Sequence, residues 1–480
     1  MKKQIFIATI SYTLLGVLQP LSNLILLPVY TSNFTIQEYA TFSILNNLSS
    51  FFTILSGLSI IHAIMAFYTS YKGDAKVLNK YIANVLSFTL YFSAPILLLS
   101  FIFGNAIFKV IFKSPINFYP AGLLCVFYGL ITNVSTGYLF FLKYEKKSNI
   151  YAVISAALFI INTFLQYYFI NILKTGVNGA WSARCITAIL SVVIVFCFHF
   201  RYLSFRLNFK KYILPSLRFS IPLIPASFLG WITTYGDRFI IERFVNLRSL
   251  GIYSILLTLS SLIEMIYLAL GAALQPFIFD FYLEKNLKKT ALLYGIFITI
   301  TVCFGSGLLL LGSNLDLLIK KEVYLEATPY LSVMIIGYFF ASISYLFNLQ
   351  VIYIQKSKYF VYQSMLILPI NIMCNIILIP VLDIWGAVLA TVITKIVMSL
   401  SSIYYAEKYF SVKPGWKFLS PVLFFIVLAL FFLTICLMGY ITFKIASIIQ
   451  FIIVLTGVSA LNYSKIQTIL SLVLKKYRQV

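Results

Sequence analysis

Acidic side chains are scarce in this sequence of 480 residues, which contains 13 Asp and Glu against 36 Lys and Arg. All charged residues together make up 10% of the chain, whereas 61% of it is hydrophobic and the mean hydropathy is +0.96. A soluble domain is near half apolar and about a quarter charged, so a soluble core could not hide this much apolar surface. The apolar residues form continuous runs of helix length rather than alternating, which excludes a barrel and predicts an all-α polytopic membrane protein.

Motifs for catalysis and for cofactors are absent as well. The chain has no P-loop, no HExxH and no GxSxG, and its six cysteines lie within apolar runs without a CxxC spacing. We therefore expect no enzyme activity, no cofactor and no metal site. The net charge of +23 is scattered over short loops without a run of five or six basic residues, which excludes nucleic acid as a partner.

The apolar runs predict fourteen membrane spans joined mostly by short loops. They lie near residues 5–30, 39–68, 81–106, 118–142, 150–170, 177–199, 217–240, 249–277, 290–312, 328–353, 359–380, 385–406, 418–439 and 442–463. The basic N-terminus followed by a long apolar run resembles a signal peptide, but no cleavage site follows it, so we expect an uncleaved first span.

Lysine and arginine predict how these spans are oriented. With the N-terminus inside, 25 of the 36 basic residues fall on the inner side and 8 on the outer side, while Arg184, Arg238 and Lys395 lie within spans. Because basic residues are enriched in cytoplasmic loops, both termini are expected in the cytoplasm.

The sequence also contains an internal duplication. EYATFSILNNLSS (Glu38–Ser50) returns as SLGIYSILLTLSS (Ser249–Ser261), and GVNGAWSARCIT (Gly176–Thr187) returns as DIWGAVLATVIT (Asp383–Thr394). Six predicted spans separate equivalent points, and an even number makes the two copies parallel repeats, as in transporters built from two related halves. The sequence therefore predicts two six-helix lobes and two extra C-terminal helices. The predicted domains are an N-terminal lobe (1–199), a basic connector (200–218), a C-terminal lobe (219–410) and an appendage with the tail (411–480).

Two basic residues within the spans are the main candidates for a binding site. Arg184 lies in span 6 and Lys395 in span 12, and in the repeat alignment Lys395 matches Ala188, one helical turn beyond Arg184. A charge in a spanning helix costs about 2.5–3.5 kcal/mol unless it faces protein or water. One interpretation is a cationic cavity for an anionic headgroup; the alternatives are a helix–helix ion pair or snorkelling toward the outer headgroups.

Other polar residues in the spans are candidates for gating, coupling and lining the cavity. Asp237 and Arg238 lie near the outer end of span 7 and form either a gate or a local salt bridge. Glu264 is the acid placed most deeply, and it is either a proton-coupling site or a structural partner of a cation. Gln19 and Asn23 are polar positions of span 1 that we expect to line the cavity.

Several segments resemble a known family. LRFSIPLIPASFLGWITTYGDRFIIERFVNLRSLGIYSILLTLSS (Leu217–Ser261) and LLPVYTSNFTIQEYATFSI (Leu26–Ile44) resemble the span 7–8 region and the segment after span 1 of polysaccharide-biosynthesis (Wzx-type) flippases. FLKYEKKSNIYAVIS (Phe141–Ser155) and IPVLDIWGAVLATVIT (Ile379–Thr394) are similar to their span 4–5 and 11–12 junctions. These flippases belong to the multidrug/oligosaccharidyl-lipid/polysaccharide (MOP) exporter superfamily, whose members have a MATE-like fold of two lobes.

The resemblance implies translocation of undecaprenyl-pyrophosphate-linked oligosaccharide from the inner to the outer leaflet of the bacterial inner (cytoplasmic) membrane, for O-antigen, capsule or exopolysaccharide assembly. Its partners would be the polyprenyl-linked substrate, membrane lipids and polysaccharide polymerase or assembly proteins. A MATE-type multidrug antiporter and a flippase for the peptidoglycan lipid precursor are the alternatives within the superfamily. A channel or a structural membrane protein is the alternative of a different class, and the duplication disfavours it. The sequence leaves open whether the lipid gradient or an ion drives transport.

Overall fold

The computed structural model describes residues 18–145, 147–199, 207–314, 316, 321–356, 358–409, 411–412 and 418–457, without the side chains of residues 18–20, 69, 198 and 199. Over these ranges the chain is helical and has no strand. The prediction of an all-α protein is therefore confirmed.

The described chain forms helices joined mostly by short turns. In order they are α1 (Leu18–Asn33), α2 (Ile36–Gly57), α3 (Ile61–Tyr71), α4 (Ala75–Ile111), α5 (Phe118–Tyr144), α6 (Ser148–Ile172), α7 (Gly176–His199), α8 (Phe209–Phe244), α9 (Leu247–Leu283), α10 (Leu287–Ser313), α11 (Glu322–Tyr353), α12 (Lys358–Leu382), α13 (Ile384–Tyr409), α14 (Ser420–Leu437) and α15 (Phe443–Gly457).

Most of these helices are long and apolar enough to cross a membrane. Within the described ranges eleven pass this test, or twelve when α2 and α3 are taken together as one bent span. The shorter helices α1 and α15 lie in the predicted first and last spans, parts of which fall outside the described residues. A multi-pass membrane protein is thus confirmed, whereas the count of fourteen spans stays a prediction.

The boundaries of several predicted spans differ from those of the helices. Predicted span 2 is two helices that meet at an angle of 49°, because Leu58 and Ser59 adopt left-handed backbone conformations (φ 42° and 56°). Hydropathy continues unbroken through this turn, so an apolar pattern cannot reveal it. Helix α8 begins at Phe209, well inside the predicted connector 200–218. Of this connector, residues 200–206 lie outside the described residues.

The two copies of the repeat begin their second helices at equivalent residues. Helix α2 starts at Ile36 and α9 at Leu247, which are 211 positions apart. The side chain of Thr35 accepts the N–H of Glu38 at 3.2 Å, and that of Asn246 accepts the N–H of Ser249 at 2.8 Å. Side-chain oxygens at this position satisfy donors that an N-terminal helical turn leaves free. The duplication therefore preserves the helix start even though the capping residue changed.

A second pair of equivalent positions shares an unusual backbone conformation. Gly176 and Asp383, which the repeat alignment pairs, both have positive φ, 61° and 53°. Glycine enters this region freely, and Asp is one of the few other residues that tolerates it. Just beyond, Gly179 on α7 packs against Phe169 on α6, and Gly386 on α13 packs against the Leu378 backbone on α12. The sixth predicted span of each copy therefore packs closely on the fifth.

The described chain divides into two compact units, Met1–Ser254 and Ile255–Val480. The division falls within α9 rather than before α8. In the first unit α8 packs along α2, where the Trp231 indole donates to the Asn47 carbonyl at 3.0 Å and the rings of Phe51 and Trp231 lie 5.2 Å apart. The domain boundaries predicted at 199 and 219 stay a prediction.

Within the first unit, loops that are predicted to lie on the same side of the membrane contact each other. On the predicted outer side the Ser114 N–H donates to Glu242 Oε1 at 2.6 Å, and on the predicted inner side the Tyr68 hydroxyl donates to Glu145 at 3.0 Å. The alternation of helix directions in this unit therefore agrees with the predicted topology.

The close approach at Gly386 gives a test of the packing. A Cβ at this position would lie 2.2 Å from the Leu378 carbonyl oxygen, whereas a Cβ at Gly295 meets nothing within 4 Å. We expect Gly386→Ala to lower the free energy of unfolding by about 1–3 kcal/mol, because the backbone of α12 must move. The control Gly295→Ala should leave it unchanged or raise it by up to about 1 kcal/mol, since alanine favours helix. Thermal unfolding in detergent measures both; equal midpoints would contradict the packing.

Candidate functional site

Arg184 lies in the interior of the first unit, on the third turn of α7. Its side chain is almost fully covered, with the residue 7% exposed, and Nη1 donates a hydrogen bond of 2.6 Å to Oδ1 of Asn46 on α2. The early turns of α7 bring Arg184 to this position because the helix starts at Gly176 and packs closely through Gly179. The predicted candidate is therefore buried in protein and does not lie at a lipid-facing surface.

Aromatic rings enclose the guanidinium group of Arg184. Its Cζ lies 4.6 Å from the ring centroid of Phe42 and 5.0 Å from that of Trp181. The hydroxyl groups of Tyr30 and Tyr128 are near enough to interact with its charge. Cation–π contacts of this kind are worth about 0.5–2 kcal/mol each, which offsets part of the cost of burying the charge.

This cluster has more hydrogen-bond donors than acceptors. Within the described residues Arg184 forms no ion pair with a carboxylate. Gln166 accepts from the Tyr30 hydroxyl at 2.6 Å, but its Nε2 and the Nε1 of Trp181 are buried donors for which the described residues supply no acceptor. Buried donors are normally paired, and a buried charge normally has a counter-ion. The surplus is the arrangement expected where an anion binds. We call Tyr30, Phe42, Asn46, Gln166, Trp181 and Arg184 the Arg184 cluster.

Sequence analysis identified Arg184 but missed the residues that hold it. A signal for Asn46 was present in the duplication, because Asn46 aligns with Leu257, just as Arg184 aligns with Thr391. The second copy therefore retains neither the arginine nor the asparagine of this hydrogen-bonded pair. A difference between copies at two positions that touch indicates a feature that belongs to the first copy alone.

Asp237 and Arg238 form a local network near the C-terminal end of α8. Asp237 is 7% exposed; its Oδ1 pairs with Arg238 Nη1 at 3.3 Å, and its Oδ2 accepts from the Tyr253 hydroxyl at 2.6 Å. Arg238 also donates to the Thr234 carbonyl at 2.8 Å. Asp237 and Arg238 thus form a salt bridge within α8, and the hydrogen bond from Tyr253 to Asp237 links α8 to α9.

A seam of contacts joins α8 to α2 within the first unit. The hydroxyl of Ser59, in the turn that follows α2, lies 3.2 Å from that of Ser227 on α8, and further along α8 the Trp231 indole donates to the Asn47 carbonyl of α2. We call these two contacts the α2–α8 seam. Because Asn47 follows Asn46 directly, the residue that holds Arg184 and the residue that holds Trp231 are neighbours on one helix turn.

Sequence analysis did not place Glu242 among its candidate residues. It is 1% exposed and accepts the Ser114 N–H, while its Oε2 is buried without a hydrogen-bond partner among the described residues. This carboxylate ties the end of α8 to the segment between α4 and α5. Nearby, the rings of Phe112 and Phe239 stack at 6.0 Å.

Lys395 occupies the second unit, on α13. Its Nζ lies 4.1 Å from the ring centroid of Tyr338 on α11, and its side chain is half-buried. Helix α11 is the counterpart in the repeat of α5, which supplies Tyr128 near Arg184. Each predicted cation therefore lies beside a tyrosine on the fourth predicted span of its own repeat.

Glu264 lies in the second unit on α9 and is half-buried. Its carboxylate interacts with Tyr267, one turn later, whose hydroxyl is also within electrostatic range of Tyr338. Within the described residues no ion pair joins Glu264 to Lys395. Tyr338 lies beside Lys395, and Tyr267 interacts with Glu264.

The remaining candidates lie on α1. Asn23 is half-buried, whereas the side chain of Gln19 lies outside the described residues. Among the described residues no group of His, Cys, Asp and Glu is arranged to hold a metal ion.

Comparison with known proteins identifies the family and the fold. The model of a family described as "Polysaccharide biosynthesis protein" matches residues 7–282. Comparison with curated protein sequences gives no match.

Three solved structures illustrate the fold. A multidrug resistance MATE family transporter of the MOP superfamily in an inward-facing conformation has a TM-score of 0.65 at 14% identity, over 83% of this chain and 95% of that one. The lipid II flippase MurJ in an inward closed conformation has a TM-score of 0.64 at 14% identity, over 96% of this chain and 99% of that one. A MATE transporter from Vibrio cholerae has a TM-score of 0.57 at 14% identity, over 85% and 96%.

At these identities the structures establish the fold, which is that of the MATE and MurJ proteins. The family match covers more than half of the sequence and includes the Arg184 cluster and the Asp237 network. The chain is a member of the polysaccharide biosynthesis protein family.

Proposed function

We propose that this protein translocates undecaprenyl-pyrophosphate-linked oligosaccharide repeat units across a bacterial inner membrane by alternating access. The repeat units would move from the cytoplasmic to the outer leaflet for assembly of O-antigen, capsule or another exopolysaccharide. Both termini would lie in the cytoplasm, and polysaccharide polymerase or assembly proteins are the expected partners. The single observation that carries the proposal is the Arg184 cluster in a member of a polysaccharide biosynthesis family.

The chemistry of the cluster suits a pyrophosphate group. Phosphate oxygens only accept hydrogen bonds, and a guanidinium presents planar pairs of N–H donors that match them. Arg184, the Trp181 indole and the Gln166 amide supply such donors without a competing carboxylate in the described part of the chain. The sugars need a hydrated path, whereas the polyprenyl tail can stay in lipid.

The other candidates receive roles within this scheme. Lys395 is proposed as a second headgroup contact, and Gln19 and Asn23 as polar residues that line the cavity. Glu264 is proposed as a coupling residue, because it is an acid in a membrane helix that interacts with Tyr267.

The contacts of α8 suggest how binding is linked to conformational change. An anion at Arg184 competes with the Asn46 amide for the guanidinium, and Asn46 adjoins the Asn47 carbonyl that holds Trp231. Binding would therefore change the stability of the two contacts of the α2–α8 seam. At the predicted outer end of α8, the Asp237–Tyr253 bond and the Glu242–Ser114 bond would keep the gate closed until the contacts of the α2–α8 seam break.

The experiments must distinguish the proposed substrate from two alternatives within the superfamily. A MATE-type antiporter moves small molecules, commonly cations, and the buried Arg184 without a described carboxylate argues against a cationic substrate. A peptidoglycan lipid precursor carries the same pyrophosphate, so the cluster suits it equally well, and only the sugar distinguishes the two.

Deletion of the gene tests the substrate directly. We expect undecaprenyl-pyrophosphate-linked repeat units to accumulate in the inner leaflet and surface polysaccharide to disappear, while peptidoglycan synthesis continues. Mass spectrometry of extracted lipids and surface polysaccharide staining measure these effects. Arrest of peptidoglycan synthesis would indicate the lipid precursor instead, and increased drug sensitivity with normal polysaccharide would indicate an antiporter.

Arg184→Met tests the anion site. Because hydrogen bonds to charged groups are worth about 1.5–3 kcal/mol, we expect export to fall by at least about tenfold. The melting temperature should stay the same or rise, because replacing a buried charge that has no counter-ion removes a desolvation cost. Arg184→Lys, which keeps the charge but not the planar donors, should retain an intermediate rate.

The control for this variant is Arg243→Met, which removes the same charge from an exposed residue of the same unit. It should leave both export and stability unchanged. Full export by Arg184→Met at normal expression would show that the cluster does not bind substrate, and a large loss of stability would assign Arg184 a structural role.

Tyr253→Phe and Asp237→Asn test the outer gate. Tyr253→Phe removes the 2.6 Å bond between the Tyr253 hydroxyl and Asp237 Oδ2, and Asp237→Asn replaces the charged acceptor by a neutral amide. Each should therefore slow export, and the double variant should be no slower than the more affected single variant. Initial export rates measure the effect, with Tyr235→Phe as a control that keeps the ring facing Arg238. Independent, multiplicative losses in the double variant would show that the two residues do not act through this bond.

A further inference from the structure

A group of exposed lysines surrounds one end of the first unit and has no role in the proposed translocation. We call it the basic patch; its members are Lys72, Lys76, Lys80, Lys210 and Lys211. Lys76 and Lys80 are four residues apart and therefore share one face of α4. Lys210 and Lys211 lie in the first turn of α8.

Hydrogen bonds bring these separate segments together. Asn84 donates from Nδ2 to the Lys80 carbonyl at 2.7 Å and accepts through Oδ1 the Asn208 N–H at 2.7 Å. Asn208 in turn accepts the Lys211 N–H at 3.2 Å through its own Oδ1. A single asparagine thus connects the first turns of α4 to the start of α8.

Aromatic packing holds the same two segments in place. The ring of Tyr212 on α8 lies 5.8 Å from Tyr71 and 5.9 Å from Tyr81, and the Tyr81 hydroxyl lies 3.1 Å from that of Ser216. The Lys211 ammonium lies 5.3 Å from the Tyr212 ring. The start of α8 is therefore held firmly, and its lysines remain at the surface beside those of α4.

The charge of the basic patch is not neutralised by the described residues around it. None of the five lysines forms an ion pair with a described carboxylate. Asp74 caps α4 by accepting the Lys76 and Val77 N–H groups, and Glu145 pairs with Lys147 at 3.1 Å. Neither Asp74 nor Glu145 therefore pairs with a lysine of the basic patch, whose five positive charges outnumber these two acids.

Exposed aromatic side chains border the lysines. Phe209 is 48% exposed directly beside Lys210, and Phe219 is 42% exposed beside Arg218 on the following turns of α8. Basic and aromatic residues side by side at the end of a spanning helix are typical of the membrane interface, where rings enter the headgroup layer and ammonium groups meet phosphates.

We propose that the basic patch binds the headgroups of anionic phospholipids in the leaflet next to it. Four to eight basic residues at the end of a membrane helix favour anionic lipid through the charge of the surface, at short range and in a salt-dependent way. The lysines of α4 and α8 would share lipid phosphates and so fix the start of α8 at the interface. This binding concerns bulk lipid and does not depend on the translocated substrate.

Native mass spectrometry of the full-length protein tests the proposal. The purified protein in detergent is titrated with phosphatidylglycerol or with phosphatidylcholine of the same chains. We expect wild type to bind phosphatidylglycerol more tightly, and Lys76→Gln, Lys80→Gln, Lys210→Gln and Lys211→Gln together to weaken that binding at least about tenfold, with phosphatidylcholine unaffected. The same four positions changed to Arg should keep the preference.

A matched control removes the same charge from exposed residues on the opposite side of the first unit, namely Lys109, Lys113, Lys174 and Arg243, each changed to Gln. This control should bind phosphatidylglycerol as wild type does. The proposal is overturned if wild type shows no preference, if the patch variant keeps it, or if the control loses it equally. Displacement of phosphatidylglycerol by millimolar inorganic pyrophosphate would also overturn it, because the patch would then be a phosphate site rather than a lipid surface.

Discussion

Lipid offers no hydrogen bonds, so every polar group of a membrane helix must be satisfied by protein, and the structure depends on this constraint. At the exposed helix ends, Thr35 and Asn246 cap the free N–H donors of the equivalent helices of the two repeats. The constraint makes the Arg184 cluster costly, because a guanidinium, an indole and an amide are buried there with fewer acceptors than donors. Under the proposed function, the pyrophosphate of the substrate supplies the missing acceptors.

The sequence predicted the features that follow from hydropathy and from the duplication. Long apolar runs indicate membrane helices whatever their packing, and repeat alignment located Gly176 and Asp383, which share a left-handed conformation. Hydropathy did not reveal the bend at Leu58 and Ser59, since apolar residues continue through it. Helix α8 was predicted to start too late because Phe209–Arg218 mixes basic and apolar residues as an interfacial helix does.

The candidate site was predictable only in part, for a physical reason. A charge in an apolar run is visible in sequence, so Arg184, Asp237 and Glu264 were found. Their partners are ordinary polar or aromatic residues, and Asn46 or Tyr253 becomes informative only once packing places it against the charge. For Asn46 the duplication carried a further signal, since its counterpart Leu257 cannot hold a guanidinium.

Reconstitution provides the most direct test of the central claim that the chain moves a pyrophosphate-linked oligosaccharide across a bilayer. Purified protein is placed in vesicles with the lipid-linked oligosaccharide on one side, and an impermeant lectin on the other side reports its arrival. The account predicts lectin binding that requires the protein and falls when lipid-linked pyrophosphate without the same sugar is added as a competitor. Vesicles in which the oligosaccharide stays on its original side, while an organic cation is transported by the same protein, would contradict it.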